Sequence, residues 1–230
     1  MSHVLVTGAN RGLGLEFVRQ LLGRGERVVA TCRHPGRALP LNRLAGEFPG
    51  RLMVLPLVLP EARSIAELVR ELETLDVRLR LLVNNAGLML DGERFGTIGL
   101  DGLRQAFETN AAGPLLLTQA LAPRFDAGAR IVMLSSRLGS IAGTTALHTP
   151  SYAISKAALN MAGRLLAAEL GARGLVVVVL SPGWVRTDMG GASAPLAAAD
   201  SVSSMLRVVD GLAASDNGRF LSHDGGAIDW

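Results

Sequence analysis

The sequence is poor in cysteine and in long apolar runs. Its only cysteine among 230 residues is Cys32, which excludes a disulfide framework and a zinc site built on cysteines. The longest apolar run, Leu175–Leu180, is far shorter than the roughly 20 residues that a membrane-spanning helix needs. Residues Met1–Val6 lack the charged segment and apolar core of a signal peptide. We therefore expect a cytoplasmic protein without a membrane partner.

Lysine and tyrosine are as scarce as cysteine. The chain has one lysine, Lys156, and one tyrosine, Tyr152, so that 22 of its 23 basic residues are arginines. Arginine keeps its charge to high pH, which explains a pI of about 9.9 at a net charge of only +3. The basic residues are scattered and form no run of about five like charges, so no nucleic-acid partner is expected.

Short apolar segments rich in β-branched residues predict strands. Hydrophobic residues make up 49% of the chain, which excludes disorder, and the length suits one domain over residues 1–230. The apolar segments are continuous rather than alternating, as expected for strands buried on both faces. The predicted strands are His3–Thr7, Arg27–Cys32, Leu52–Leu57, Leu79–Asn84, Arg130–Ser135, Leu175–Ser181 and Gly218–Ser222.

Helix candidates lie between these strands. Ser64 and Glu67 have the spacing of a capping box, and Gly23, Gly171 and Gly174 are typical of helix ends. The alternation of strands and helices predicts the α/β class, with a parallel sheet, helices on both faces and right-handed connections. The candidates are Gly14–Leu22, Ser64–Leu75, Leu100–Pro123, Ser151–Ala172 and Ala197–Leu212.

A glycine-rich loop joins the first predicted strand to the first predicted helix. Glycine permits unusual backbone angles and a close approach to a ligand, and the helix N-terminus offers free N–H groups to a phosphate. A plain glycine-rich turn is the alternative, but the position between strand and helix favours a site for the pyrophosphate of a dinucleotide. The loop is Thr7-Gly8-Ala9-Asn10-Arg11-Gly12-Leu13-Gly14, with Gly8, Asn10, Arg11, Gly12, Leu13 and Gly14 as candidate ligands.

The end of the second predicted strand bears on which dinucleotide is bound. An acidic residue usually stands there to bind a ribose 2′-hydroxyl. This chain has Arg33 instead, and Arg11 lies in the glycine loop. Two guanidinium groups suit a 2′-phosphate through charge-assisted hydrogen bonds. The pattern therefore predicts NADP(H) in preference to NAD(H), the alternative being that Arg33 is only a solvated arginine.

The only tyrosine and the only lysine are four residues apart, at Tyr152 and Lys156. On a helix this spacing places both side chains on one face. A free phenol has a pKa of about 10, and a neighbouring cation lowers it. The pair therefore predicts a proton donor and acceptor, the alternative being two unrelated surface side chains.

Four motifs together resemble the short-chain dehydrogenase/reductase family, in order and spacing and over essentially the whole chain. The resemblance implies an oxidoreductase with a single Rossmann-fold domain and a doubly wound, seven-stranded parallel sheet. Segments 135–141, 182–191 and 218–230 further resemble the C-factor-like, Sniffer-type carbonyl reductases. The four motifs are the glycine loop, Asn84-Asn85-Ala86-Gly87, Tyr152-x-x-x-Lys156 and Pro182-Gly183.

The resemblance assigns roles in carbonyl reduction to particular residues. Tyr152 would be the general acid, and Lys156 would lower its pKa and bind the nicotinamide ribose. Ser136 would bind the substrate carbonyl oxygen, with Ser140 as the alternative because the spacing to Tyr152 is longer than the family's commonest one. Asn110 would hold a water in the proton relay.

The resemblance also assigns cofactor contacts beyond the glycine loop. Asn84 is expected to be structural, and Val58 stands where the family often has an aspartate on the adenine. The implied contacts with the ribose and nicotinamide are Asn85, Ala86, Gly87, Tyr152, Lys156, Pro182, Gly183, Val185 and Thr187.

The sequence leaves three functions open. The first is an NADPH-dependent carbonyl reductase acting on an apolar aldehyde, ketone or quinone. The second is a cofactor-binding signalling or regulatory protein of the C-factor type, and the third is an NAD-linked alcohol dehydrogenase. No metal is expected, because the four histidines are far apart. A homodimer or homotetramer is expected by analogy with the family.

Overall fold

Seven parallel strands form one sheet at the centre of the computed structural model, which describes residues 2–230. The spatial order is β3-β2-β1-β4-β5-β6-β7, so the chain reverses its direction of travel across the sheet between β1 and β4. In such sheets a crevice opens at the carboxyl ends of the strands beside the reversal. The strands are β1 Ser2–Val6, β2 Val28–Cys32, β3 Leu52–Pro56, β4 Arg78–Asn84, β5 Phe125–Leu134, β6 Val176–Ser181 and β7 Phe220–Ser222.

Helices cover both faces of the sheet. One apolar core packs α1, α2 and α7 on one face, and a second packs α3, α5 and α6 on the other. Within residues 2–230, none of the helices is long and apolar enough to cross a membrane. The helices are α1 Gly12–Gly23, α2 Leu39–Glu47, α3 Ala62–Thr74, α4 Leu100–Phe107, α5 Gly113–Leu121, α6 Pro150–Gly171 and α7 Ala198–Gly211.

This architecture confirms the predicted single-domain, doubly wound Rossmann fold with helices on both faces. Consecutive strand residues face opposite cores, as Val177 and Val179 do against Val178. Both cores therefore require apolar side chains, which explains why the strands are continuous apolar runs. The strand β5 begins at Phe125, five residues before the predicted start at Arg130.

The predicted helix Leu100–Pro123 is wrong as a single element. Residues Glu108–Ala112 form a π-helical turn that separates α4 from α5. Pro114 lies in the first turn of α5 and has no backbone N–H to continue the α-helical hydrogen bonds. π-Helical turns are rare and are frequent at functional sites.

The expected capping box at Ser64 is also wrong. The helix α3 begins at Ala62, so Ser64 lies inside its first turn. The Ser64 hydroxyl instead accepts a hydrogen bond of 2.9 Å from the backbone N–H of Val58, in the segment after β3. The short helix α2 was not predicted, because it buries only Leu41 and Leu44 and so has little apolar periodicity.

Candidate active site

A cleft of about 650 Å³ opens at the carboxyl edge of the sheet. It lies at the ends of the neighbouring strands β1 and β4, between which the strand order reverses, the position expected for a ligand in a doubly wound sheet. The structure brings most of the predicted site residues into its lining. They are Gly8, Asn10, Arg11, Gly12, Leu13, Arg33, Asn85, Ala86, Gly87, Tyr152, Lys156, Pro182 and Thr187.

The glycine loop is packed so closely that side chains are excluded. A Cβ on Gly8, whose φ is +62°, would lie 2.8 Å from the Cα of Ala86. A Cβ on Gly14 would lie 2.4 Å from the carbonyl oxygen of Gly8 and 2.5 Å from Nδ2 of Asn85. Arg11 precedes α1 without a side-chain cap, so the helix N-terminus faces the cleft uncapped. This cradle fits the pyrophosphate of a dinucleotide.

Hydrogen bonds tie the glycine loop to the segment after β4. The Thr7 hydroxyl accepts from the N–H groups of Asn85 at 3.0 Å and Ala86 at 2.9 Å. The Asn85 amide donates to the carbonyl of Thr7 at 2.8 Å. Asn84 points into the protein and donates to Thr118 Oγ1 at 3.1 Å, which agrees with its expected structural role. The two sides of the cleft are therefore fixed to each other.

The two arginines predicted to bind a 2′-phosphate are in different situations. Arg33 lines both the main cleft and an adjoining pocket of about 130 Å³, which His34 and Arg37 also line. Arg11 lines the main cleft, and its Nη1 donates to Oδ2 of Asp188 at 2.8 Å. Asp188 comes from the segment after β6, which the sequence analysis did not connect to the glycine loop.

Tyr152 and Lys156 lie on the inward face of α6 and are 9% and 4% exposed. Lys156 Nζ is 5.6 Å from the centre of the Tyr152 ring and donates to the carbonyl of Leu134 at 2.8 Å. Burial raises the pKa of Tyr152 to about 12, although the neighbouring Ser136 side chain acts in the opposite direction. Burial also lowers the pKa of Lys156 to about 7. The pKa of Tyr152 therefore rises, whereas the sequence predicted a fall. Burial disfavours the charged phenolate, and a lysine whose own pKa is near 7 carries only part of its charge at neutral pH and does little to stabilise the phenolate.

Ser136 and Ser140 are used differently. Ser136 follows β5, acts on the pKa of Tyr152 through its side chain and accepts a hydrogen bond of 3.2 Å from the N–H of Leu138. The Ser140 hydroxyl donates to the carbonyl of Asp229 at 2.7 Å and accepts from the N–H of Gly143 at 3.0 Å. The Ser140 hydroxyl is therefore engaged with its own loop and the tail, whereas Ser136 acts on Tyr152.

The chain end packs beside this serine loop. The carbonyl of Trp230 accepts a hydrogen bond of 2.8 Å from the N–H of Ala142. The Trp230 ring centre lies 5.4 Å from that of Phe220 in β7, and Arg164 of α6 lies 5.6 Å from it. The tail therefore packs against the loop, β7 and α6 together.

Asn110 lies in the π-helical turn and is fully buried. Its Oδ1 accepts from the N–H of Leu88 at 2.8 Å, and its Nδ2 donates to the carbonyl of Leu88 at 2.8 Å. The same Nδ2 lies 2.9 Å from the hydroxyl of Ser155, which stands between Tyr152 and Lys156 on α6. Asn110 therefore joins the segment after β4 to the helix that carries the Tyr–Lys pair.

Some predicted site residues do not line the cleft. Gly183 has a φ of +81° and turns the chain after β6. Val185 is 4% exposed and forms a bridge to Leu196. Five predicted residues are absent from the lining: Gly14, Asn110, Ser136, Gly183 and Val185.

Part of the cleft wall was not predicted from the sequence. It consists of residues that follow β3 and β5, residues of α4 and the π-helical turn, and a neighbour of Thr187. The ends of the predicted strands could have indicated the residues after β3 and β5. The residues of α4 and the turn reach the cleft only because the helix is interrupted, which the sequence pattern did not show. In residues 2–230, no three His, Cys, Asp or Glu side chains are grouped to hold a metal ion. The missed residues include Leu57, Leu59, Pro60, Gln105, Glu108, Thr109, Ser135 and Asp188.

Comparison with known proteins identifies the family of this chain. The family model described as short chain dehydrogenase matches residues 2–195. The C-signal of Myxococcus xanthus is 43% identical over 152 residues, which cover 65% of this chain and 92% of that protein. The carbonyl reductase Sniffer of D. melanogaster has a TM-score of 0.94 at 33% identity, with both chains fully covered. The NADPH-bound carbonyl reductase from chicken fatty liver has a TM-score of 0.94 at 37% identity, covering 100% of this chain and 99% of that one. The chain therefore belongs to the short-chain dehydrogenase/reductase family, in its Sniffer-type and C-factor-like subgroup.

Proposed function

We propose that this oxidoreductase is an NADPH-dependent carbonyl reductase. The observation that carries the proposal is that Tyr152 and Lys156 line the cleft one helical turn apart, with Ser136 near enough to act on the pKa of Tyr152. Two hydroxyl groups that converge in this way can donate to one carbonyl oxygen. The bound nicotinamide supplies the hydride that reaches the carbonyl carbon.

Tyr152 is suited to give a proton rather than to take one. A phenol whose pKa is about 12 is protonated at neutral pH. As charge develops on the carbonyl oxygen, Ser136 and Tyr152 donate hydrogen bonds to it, and the Tyr152 proton completes the alcohol. Alcohol oxidation needs the phenolate as base, which burial disfavours here. At neutral pH the protonated Tyr152 can therefore act as the general acid of carbonyl reduction.

Lys156 and Asn110 support this proton transfer. Lys156 lines the cleft next to Gly87 and is placed to bind the nicotinamide ribose, with a Nζ pKa of about 7. Asn110 holds Leu88 and the α6 helix in register. We assign Lys156 to ribose binding and to the Tyr152 proton, and Asn110 to the proton relay.

The preference for NADP(H) over NAD(H) rests on the end of β2. Arg33, His34 and Arg37 line the small pocket there, together with Asn10, Cys32 and Ala38, and this lining contains no carboxylate. A 2′-phosphate provides the negative charge that these side chains lack. The chicken carbonyl reductase, which is similar over the whole chain, is described as NADPH-bound.

The substrate class is an apolar aldehyde, ketone or quinone. Leu88, Met89 and Met189 line the cleft near Tyr152 and Lys156. Such side chains favour ligands with apolar surface, because burying that surface is favourable by about 25 cal/mol per Å².

The test combines cofactor binding with turnover. Purified protein is titrated with NADPH and NADH by fluorescence, and a panel of aldehydes, ketones and quinones is then added. We expect tighter binding of NADPH and its oxidation by some carbonyl compound. Tyr152→Phe should lower kcat by about 10²- to 10⁴-fold with little change in the NADPH Kd. Equal binding of the two cofactors contradicts the NADP preference.

The two serines provide a matched pair of variants. Ser136→Ala should lower kcat by about 10²-fold, because it removes a donor to the developing oxyanion. Ser140→Ala should lower thermal stability instead, because the Ser140 hydroxyl donates a hydrogen bond to the carbonyl of Asp229 and accepts one from the N–H of Gly143. A larger loss of kcat in Ser140→Ala than in Ser136→Ala would reverse the assignment.

A cofactor-binding signalling protein is the second candidate, and the similarity to C-signal favours it. The same Tyr152→Phe variant separates the two functions in cells. A reductase loses its biological effect with this substitution, whereas a protein that acts only by binding the cofactor keeps it.

We also propose that the chain forms a homo-oligomer. Exposed apolar side chains lie along the outer surfaces of three helices, and their burial would stabilise an interface. Sedimentation velocity gives the oligomeric state, and a monomer at micromolar concentration contradicts the proposal. The side chains are Phe107 of α4, Leu116 of α5, and Ile154, Met161 and Leu165 of α6.

A further inference from the structure

One face of α6 contacts the end of β5 at three successive turns. Tyr152 lies near enough to Ser136 for that side chain to act on its pKa, and Lys156 Nζ donates to the carbonyl of Leu134. Asn160 lies one turn further along the same face and is 4% exposed. The proposed proton transfer uses Tyr152 and Lys156 but not Asn160. A buried amide in this position needs partners, and those partners indicate what it does.

Asn160 binds the chain on both sides of Ser136. The hydroxyl of Ser135 donates to Asn160 Oδ1 at 2.6 Å. The Nδ2 of Asn160 donates to the carbonyl of Gly139 at 3.0 Å. Both hydrogen bonds are buried, where they are electrostatically stronger than in water. One side chain of α6 thus fixes the beginning and the end of the turn that contains Ser136.

Close packing leaves this turn little freedom to move towards the helix. A Cβ on Gly139 would lie 2.8 Å from the backbone carbon of Lys156 and 2.9 Å from its Cβ. One turn beyond Asn160, a Cβ on Gly163 would lie 2.5 Å from Cγ2 of Val179 in β6. The turn rests on the helix, and the helix rests on the sheet. The remaining movement is away from α6, which the two hydrogen bonds of Asn160 oppose.

We propose that Asn160 is a positioning residue that holds Ser136 Oγ at the Tyr152 hydroxyl. Asn160 acts through Ser135 and Gly139 and does not itself reach the reacting atoms. Its effect on kcat rests on the proposed reductase function, whereas its effect on the placement of Ser136 beside Tyr152 does not. Small displacements of catalytic groups are costly, on the order of 100-fold in rate for about 1 Å.

The single tyrosine permits a test that does not depend on turnover. Protein labelled with [ζ-¹³C]tyrosine gives one protein resonance, which belongs to Tyr152. Ser136→Ala should shift this resonance, because the hydroxyl that acts on the Tyr152 phenol is lost. Asn160→Ala should shift it in the same direction, and should cause no further shift when Ser136 is already alanine. An unchanged resonance in Asn160→Ala overturns the inference.

Kinetics provide the second measurement. We expect Asn160→Ala to lower kcat by about 10-fold, with the NADPH Kd changed less than twofold, because the cofactor cradle is built by other residues. In the Ser136→Ala background the same substitution should leave kcat unchanged. Equal losses of kcat in both backgrounds contradict an action through Ser136. If no carbonyl compound is reduced by the wild type, the proposed function fails, and the tyrosine resonance still decides the role of Asn160.

Asn217→Ala is the matched control. Asn217 also makes two hydrogen bonds, accepting from the N–H of Val177 and donating to the carbonyl of Ala167, each at 2.9 Å. It lies outside the lining of the cleft, so its loss should lower stability without shifting the Tyr152 resonance. If Asn160→Ala does not fold, Ser135→Ala removes one of the two bonds and should give a smaller shift in the same direction. A shift of equal size in Asn217→Ala contradicts a specific role for Asn160.

Discussion

Arg11 Nη1 donates to Asp188 Oδ2 at 2.8 Å, and this ion pair connects the glycine loop with the segment after β6 across the cofactor cleft. The same guanidinium is a candidate ligand for the 2′-phosphate of NADP(H). If Arg11 binds this phosphate as proposed, Asp188 competes with it for the guanidinium. The side chains are 64% and 75% exposed, so their attraction is screened by solvent.

Asp188→Asn should tighten NADPH binding by at most about fivefold, because an exposed ion pair contributes less than about 1 kcal/mol. NADH binding should not change, since NADH has no 2′-phosphate. Fluorescence titration at low and high salt measures both, and the gain should shrink at high salt. Asp210→Asn, which breaks the exposed pair of Arg24 and Asp210 outside the cleft, is the control. Weaker NADPH binding in Asp188→Asn contradicts the competition.

Arg33→Asp should reverse the cofactor preference. Hydrogen bonds to charged groups contribute about 1.5–3 kcal/mol, so the Kd for NADPH should rise by about 10- to 100-fold. The Kd for NADH should stay the same or fall, because a carboxylate at this place can accept from a ribose hydroxyl. Arg43→Asp, which changes an exposed arginine of α2, is the charge-matched control. Equal losses for both cofactors would contradict a specific contact with the phosphate.

Gly14→Ala should abolish cofactor binding and lower stability. The new Cβ would collide with the carbonyl of Gly8 and the amide of Asn85, so the glycine loop must shift. Overpacking of this kind costs about 1–3 kcal/mol. Gly36→Ala is the control, because a Cβ there meets nothing within 4 Å. Thermal unfolding and NADPH titration check both variants, and wild-type affinity in Gly14→Ala would show that the loop adapts.

The buried lysine makes stability depend on pH. The folded protein releases the Lys156 proton near pH 7, whereas an unfolded lysine keeps it to about pH 10.5. Since the unfolded state binds more protons between these values, this group makes stability rise from about pH 7 to about pH 10. Tyr152 acts oppositely above about pH 10, because its folded pKa is raised to about 12.

Lys156→Met should therefore remove the rise in stability. Urea unfolding measures the free energy of unfolding at pH 6.5, just below the window of about pH 7 to 10, and at pH 8 and 9.5, inside it. Tyr152→Phe should keep the rise, because its titration lies at higher pH. A Lys156→Met variant with the wild-type slope would show that another group causes it.

Sequence alone predicted the sheet well because each strand is buried on both faces. The continuous apolar runs around Val28 and Val176 cannot be solvent-facing strands. Counting such runs along the chain gives the number of strands. The glycine loop and the Tyr–Lys pair were also predictable, since each lies within a few residues of local sequence. Strand β5 was predicted too short because the first half, from Phe125, includes exposed residues.

The rest depends on contacts between distant residues. The bond from Ser140 to Asp229 spans 89 positions, and the pair of Arg11 and Asp188 spans 177. No local pattern specifies such contacts. The pKa of Tyr152 was expected to fall because spacing places a lysine nearby, but burial raises it. Depth in the protein, unlike helical spacing, is not visible in the sequence.

The loop after Ser136 is attached to the tail through the tail's main-chain atoms. Ser140 and Ala142 donate to the backbone oxygens of Asp229 and Trp230. These bonds depend on the path of the tail and not on the identity of its side chains. Substitutions at Asp229 or Trp230 that keep this path should therefore leave the loop in place, whereas a displacement of the tail removes both bonds at once.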